Sequence, residues 1–312
     1  MNLEKLQDIV GKDWVITDRR QMKSYLADET VVFVKPEAAA NVIVVKPANS
    51  EEISRILKLA NIEKIPVFPR GGGTGLCGGA IPTKDGMVLS LERLDKVEEV
   101  DKENLMLVAE AGVTTEKVMK AAEDAGLFFP PHPGDEGAQV GGIVVCNAAG
   151  TRAVKHGVMR AYVKGIEVVL PTGEIVNMGG KLLKNNTGYN MMQLLIGSEG
   201  TLGVITKAIF RLYPKSPASA TLVIAYDDLY DAINTVPKIL QRGIIPLAIE
   251  YVGRNEIEMS AEHLGMKWPS AIGGHYLIII LEGPNADAVY SECEQISDIC
   301  QEYNAVDTLI AE

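Results

Sequence analysis

Histidine, cysteine and aromatic residues are scarce in this chain. Its 312 residues include 4 His, 4 Cys and 5% aromatics. The cysteines are Cys77, Cys146, Cys293 and Cys300, and no two stand in a CxxC pair. That excludes an iron–sulfur or zinc site built by this chain alone and leaves free thiols, as expected of a cytoplasmic protein. No apolar run approaches the ~20 residues that span a bilayer. The opening Met1-Asn2-Leu3-Glu4-Lys5 is too acidic for a secretory signal. Basic residues are outnumbered, for a net charge of -11, which argues against general nucleic-acid binding. Any phosphate must then be held locally, by backbone dipoles and a few cations.

Glycine, by contrast, is concentrated. Residues 69–79 read PRGGGTGLCGG, with six glycines between Gly71 and Gly79. Each costs roughly 0.5–1 kcal/mol relative to alanine in ordered structure, about 3–6 kcal/mol together, against a net stability of ~5–15 kcal/mol. The flanks are apolar, so the loop lies between buried strands. Such a run suits a backbone that must come close to an anion. Residues 73–78 match GxGxxG, but a dinucleotide site of the Rossmann kind needs a helix directly after it. Pro82 and the turn Lys84-Asp85-Gly86 leave no room for one.

Residues 42–45 read as a buried strand, and Ser50 as the cap of a helix with Ile53, Ile56, Leu57 and Ala60 on one face. A strand at 65–68 follows, so the glycine loop closes a β-α-β unit. Strands are expected at 87–91 and 105–110. Thr114 opens a helix with Val118, Met119 and Ala122 on one face and Gly126 past its end. Residues 130–135, PPHPGD, are too proline-rich for helix or inner strand. Pro171-Thr172-Gly173 joins a hairpin of 166–170 and 174–177. A second glycine loop, GSEGTLG at 197–203, leads into a strand at 204–212. A boundary is expected at 215–219. Beyond it strands at 221–225, 247–252, 276–281 and 306–310 and helices at 229–241 and 287–303 follow the order β-α-β-β-α-β, with a short helix in the middle connection. That is a split βαβ arrangement.

Taken in order, PRGGGTGLCGGAIP, PPHPGDEGAQVGGIVVCNAAGTRAVKHG, GIEVVLPTGEIV and LLIGSEGTLGVITKAIFRLYP resemble the flavoprotein family that includes vanillyl-alcohol oxidase and the bacterial glycolate oxidase flavin subunit. Within it they resemble the FAD-linked D-lactate and D-2-hydroxyacid dehydrogenases. Tyr25-Leu26-Ala27-Asp28 fits their lead-in segment, and the resemblance covers residues from about 20 to 217. It implies an α+β fold: a PCMH-type FAD-binding domain of two α+β subdomains over 1–217, then part of a ferredoxin-like (βαββαβ) cap or substrate domain over 218–312. It also implies site residues. Pro69, Arg70, Gly71, Gly72, Gly73, Thr74 and Gly75 would wrap the FAD pyrophosphate, and Gly78 and Gly79 would turn the loop away. Pro133, Gly134, Asp135, Gly141 and Gly142 would line a second wall. Asn147, Gly150, Arg152 and Gly157 would form a small-residue loop near the flavin. Glu199, Gly200, Val204 and Ile205 would close over the adenosine half. Some relatives carry a histidine bonded to flavin where this chain has Thr74, and 135–139 offer no cysteine for a second bond, so FAD is expected to be non-covalent.

The implied activity is oxidation of a D-2-hydroxy acid by hydride transfer to flavin N5, with electrons passed to an electron-transferring flavoprotein, an iron–sulfur subunit or quinone. The alternative is a non-catalytic flavin-binding or electron-transfer subunit within a larger complex. A homo-oligomer fits either, and so does a cytoplasmic location with a partner as any link to a membrane. An NADPH-using reductase of the same fold fits the motifs poorly. The family's histidine-rich HxGDGNxH-like motif is missing, with no histidine after His275, so the chain is expected to be a shortened form. No catalytic base and no metal ligand is assigned. His132 and His156 fall in candidate cofactor loops, but structural roles are expected for them as for His263 and His275. Cys293 and Cys300, seven apart on one helix face, are expected to pack. Lys181, Lys184, Asn185 and Asn186 are expected to make architectural contacts.

Overall fold

The computed structural model describes residues 2–311. The chain divides into two compact units, Met1–Ala148 with Val158–Pro214, and Ala149–Gly157 with Lys215–Glu312.

The first unit begins with α1 (Leu3–Val10), β1 (Val15–Ile16), β2 (Val42–Val45), α2 (Ser50–Glu63), β3 (Val67–Arg70) and β4 (Gly86–Ser90). The strands order β1-β2-β4-β3, with β2 and β3 parallel to β4. Every residue of β2 and β4 is buried, as an inner parallel strand requires. Helix α2 buries Ile53, Ile56, Leu57 and Ala60. Its cap is Asn49, not Ser50: the Asn49 side chain accepts from the Glu52 N–H at 2.9 Å. Ser50 is the first helical residue, and its hydroxyl bonds Glu167. Strand β3 starts two residues later than expected because the Ile65 N–H still bonds the Ala60 carbonyl at the helix end, at 2.8 Å.

A second sheet follows in the same unit. It comprises β5 (Val97–Asp101), β6 (Met106–Glu110), β8 (Val163–Val169), β9 (Ile175–Gly179) and β10 (Val204–Arg211), ordered β5-β6-β10-β8-β9 and antiparallel throughout. Helix α3 (Thr115–Asp124) is capped by Thr114 and buries Val118 and Ala122. β7 (Leu127–Phe128) pairs with β11 (Tyr213–Pro214). Helix α4 (Val140–Val145) packs Val140, Ile143 and Val144 into the core of this sheet with Phe210 and Ile166. A short α6 (Met192–Leu195) precedes the second glycine loop.

The second unit contains α5 (Ala153–His156), β12 (Ala218–Tyr226), α7 (Leu229–Gln241), β13 (Ala248–Gly253), α8 (Arg254–Leu264), β14 (His275–Gly283), α9 (Ala286–Glu302) and β15 (Asp307–Ala311). Its antiparallel sheet is ordered β13-β14-β12-β15. Leu222, Ile224, Leu277 and Ile279 pack there against Cys293, Ile296 and Cys300 of α9. Both cysteines are buried on the inner face of that helix. The fold is α+β in both units.

Candidate functional site

Strand β3 ends at Arg70, and residues 71–85 contain no helix. The loop instead forms one side of a cavity of about 410 Å³ inside the first unit, within the ~300–1,000 Å³ range of ligand sites. Pro69 through Gly75 and Gly79 line it, facing Pro133, Asp135, Gly141 and Gly142. Glu199, Gly200, Val204 and Ile205 complete the wall. The glycines have two distinct uses. A Cβ on Gly72 would meet the Gly137 carbonyl at 2.7 Å, so the two walls approach too closely for a side chain. A Cβ on Gly75, Gly79 or Gly142 would meet no protein atom within 4 Å. At Gly142 such an atom would occupy space beside the cavity wall.

Several expected residues fall elsewhere. Gly78 and Gly134 do not line the cavity; both hold left-handed backbone, φ 76° and 83°. A Cβ on Gly78 would strike Pro36 at 2.9 Å, so this glycine serves the fold of the loop. Asn147 is also outside the lining, although Cys146 and Ala148 on either side of it belong to it. Gly150, Arg152 and Gly157 lie in the segment that clusters with the second unit. There Gly150 accepts from the Ala153 N–H and Gly157 ends α5 with φ 71°. The lining further includes Leu76, Gln139 and Gly203, which motif reasoning did not select, and also Cys77 and Cys146. Cys77 and Cys146 sit inside the motifs, but a small side chain there carries no signal of its own.

The charge nearest the loop is Arg70, only 7% exposed. Its Nη2 donates to the Ser24 carbonyl at 2.5 Å, and its Nη1 is buried without a partner among the described residues. The guanidinium lies directly against Gly73, whose φ is 75°. Burial lowers the Arg70 pKa, opposed by Asp28, Tyr25 and Glu92; an arginine stays charged under these conditions. The lead-in segment is tied to this region by Glu92. That carboxylate accepts from Lys46 at 2.7 Å, the Tyr25 hydroxyl at 2.8 Å and the Ser90 hydroxyl at 2.9 Å. Burial alone would raise the Glu92 pKa, but these three bonds outweigh it and hold the group below its ordinary value. Across the cavity, burial first, then Glu199 and Cys77, push the Cys146 thiol up.

The loop amides of Gly72, Gly73, Thr74 and Gly75 donate to no other group among the described residues. A buried cation with an unused donor, four unused backbone donors and glycines at several wall positions fit an elongated anionic group such as a dinucleotide pyrophosphate. Among the described residues no cluster of three metal-ligating side chains occurs. No described helix is long and apolar enough to cross a membrane.

Comparison with known proteins agrees. The family described as FAD binding domain matches residues 42–179, and FAD linked oxidases, C-terminal domain, matches 215–312. A D-lactate dehydrogenase of Archaeoglobus fulgidus is 46% identical over 92% of this chain and 63% of its own length. An uncharacterized FAD-linked oxidoreductase of Mycobacterium tuberculosis is 36% identical over 99% of this chain and 68% of its own. The chain thus spans about two thirds of the length of these relatives. Substrate-bound p-cresol methylhydroxylase, at 18% identity, shares the fold with a TM-score of 0.76 over 99% of this chain and 65% of that one. With the glycine-walled cavity and both family domains in order, the chain belongs to the FAD-linked oxidoreductases, with the PCMH-type FAD-binding fold.

Proposed function

We propose that the first unit holds FAD non-covalently in the glycine-walled cavity and that the protein oxidises a D-2-hydroxy acid of lactate or glycolate size. The observation that carries this reading is the row of unpartnered amides from Gly72 to Gly75 beside the buried Arg70. The D-lactate dehydrogenase relative supports the substrate class. Domains 1–217 for FAD and 218–312 for a ferredoxin-like cap portion are the division we propose.

The chemistry supplied by a bound FAD is hydride acceptance at flavin N5. The chain's own residues bind and orient. Amides of the loop 72–75 receive the diphosphate charge, and Arg70 adds a cation that the Ser24 carbonyl holds in place. Gly141 and Gly142 place no side chain into the cavity on the opposite wall. Thr74 presents a hydroxyl where some relatives present the histidine that bonds flavin, so no covalent link forms. A separate acceptor, an electron-transferring flavoprotein, an iron–sulfur subunit or quinone, would take up the electrons.

The test is the visible spectrum of the purified protein, repeated on the supernatant after acid precipitation. Flavin bands near ~370 and ~450 nm that move to the supernatant, and bleach anaerobically with D-lactate or glycolate before precipitation, support the whole reading. Colour retained in the pellet refutes the reading of Thr74. Flavin that neither acid bleaches leaves a flavin-binding or electron-transfer subunit as the better description. No flavin after incubation with FAD refutes the proposal.

A further inference from the structure

Asn147 was expected among the cofactor contacts, yet it does not line the cavity and does something else. It holds left-handed backbone, φ 47°, a conformation that asparagine tolerates better than most residues. Its N–H bonds the Val144 carbonyl at 3.0 Å, ending α4. The same carbonyl accepts from the Gly197 N–H at 3.3 Å, and the Val145 carbonyl accepts from the Glu199 N–H at 2.9 Å. The end of α4 is thereby stitched to the second glycine loop. Val145 and Cys146 line the cavity on one side of this seam, Glu199 and Gly200 on the other.

Arg160 closes the seam from behind. The Asn147 Oδ1 accepts from the Arg160 backbone N–H at 2.9 Å. The Arg160 guanidinium donates to the Ile196 carbonyl at 3.2 Å and to Gln193 Oε1 at 3.4 Å. Gly197 packs close against the pair: a Cβ there would lie 3.3 Å from Arg160 Nη2 and 3.5 Å from Asn147 Cβ. Asn147, Arg160, Ile196–Gly197 and Val144 form a closed ring of hydrogen bonds and chain. Neither Asn147 nor Arg160 belongs to the cavity lining.

From this ring we infer that Asn147 and Arg160 are a positioning pair: they fix the spacing of two cavity walls, and through it the grip on the cofactor, without touching it. As a statement about the cofactor this rests on the FAD reading above. As a statement about the walls it does not. The ring distinguishes substitutions. Asn147→Asp keeps an acceptor and a tolerable left-handed residue. Asn147→Gly keeps the turn and loses the acceptor. Asn147→Ala loses both. Arg160→Ala keeps the backbone N–H and loses the bond to Ile196, which Arg160→Lys restores in part.

The experiment has two readouts on the full chain. Hydrogen exchange of FAD-free protein should show the Gly197 and Glu199 amides exchanging about five- to tenfold faster in Asn147→Ala and Arg160→Ala, and unchanged in Asn147→Asp. Titration with FAD should show a dissociation constant raised about tenfold in Asn147→Ala and Arg160→Ala, with Asn147→Asp near wild type and Asn147→Gly and Arg160→Lys between. The resolution of the flavin visible band should follow the same order. If Asn147→Ala fails to fold, Asn147→Gly and Arg160→Ala carry the test. Exchange and affinity unchanged in these variants, or Asn147→Asp as damaged as Asn147→Ala, would overturn the inference. A melting temperature that falls while FAD affinity and band shape stay at wild type would reduce the pair to structural support and overturn it also. Wild type that takes up no FAD while the exchange pattern holds would sink the cofactor reading and leave the wall-spacing pair standing.

Discussion

Gly142 allows cofactor binding and fold stability to be separated in a single residue. It lies within α4, and a Cβ built on it meets no protein atom within 4 Å outside the helix's own backbone. It also lines the cavity. Gly142→Ala removes a helix-interior glycine, which stabilises a helix by roughly 0.5–1 kcal/mol. For a unit of 150–250 residues that is an increase of about 1–4 °C in Tm. The added methyl meanwhile stands where a ligand would pack. Gly142→Leu extends the intrusion, and overpacking a filled site costs about 1–3 kcal/mol. At 1.4 kcal/mol per factor of ten, FAD affinity should weaken roughly 5- to 150-fold. Gly141 is the control: its Cβ would meet that of Ala111 at 3.0 Å, so Gly141→Ala should lower Tm. The assays are thermal unfolding of FAD-free protein and FAD titration by flavin fluorescence. Gly142→Leu that binds FAD like wild type would refute the placement of the cofactor. Gly142→Ala that melts several degrees lower would refute the local packing.

Three further outcomes are expected. Gly73→Ala should destabilise FAD-free protein by at least about 1–2 kcal/mol, because the residue holds φ 75° and its Cβ would strike the buried Arg70 guanidinium; wild-type stability in a denaturant titration would contradict that geometry. Glu92→Gln should cost roughly 1–2 kcal/mol near neutral pH, since Lys46 and Tyr25 lose a charged partner that is only half-buried. Because the folded Glu92 pKa is lowered, its stabilisation is fully present above the unfolded value of 4.5 and is lost as pH falls through the lower folded value. The gap between wild type and Glu92→Gln should therefore shrink below about pH 4.5 in urea titrations, and a gap that persists to pH 2 would contradict it. His156 has its pKa lowered, by burial first, with Glu282 opposing. The unfolded chain then takes up a proton that the folded one resists, so stability should fall as pH drops below 6.5, and His156→Gln should flatten that part of the profile. A profile unchanged by the substitution would show that His156 is not the group involved.

The elements differ in how far they could be read beforehand. Helix α7 begins and ends at the expected residues, because Asp228 caps it and its apolar positions recur at one spacing. Helix α2 was legible, but its cap was misplaced by one residue, since Asn49 and Ser50 can both cap and only the bond to the Glu52 N–H decides. Helix α4 was not legible: VGGIVV has two glycines and three β-branched valines, a poor helix composition, and it is held by packing on β10 and the Ala111 and Val113 carbonyls. In the site, the glycine loop at 71–79 was legible from its composition, and the lining positions 69–75 and 199–200 from the family resemblance. Gln139, Leu76 and Gly203 were not, because a lining role depends on which segments the fold brings together.

By itself the sequence determined the glycine loop between strands, the alternation of strands and helices and the acidic net charge, while the flavoprotein family was legible from its resemblance to known motifs. The first three depend on short spacings and on side-chain chemistry, which act locally. Only the tertiary structure decided that β4 lies between β2 and β3, that the stretch 149–157 clusters with the second unit and that Asn147 bonds Arg160 and does not line the cavity. Each of those rests on hydrogen bonds or packing between residues far apart in the chain or on a left-handed turn stabilised by such a bond, and no local pattern records them.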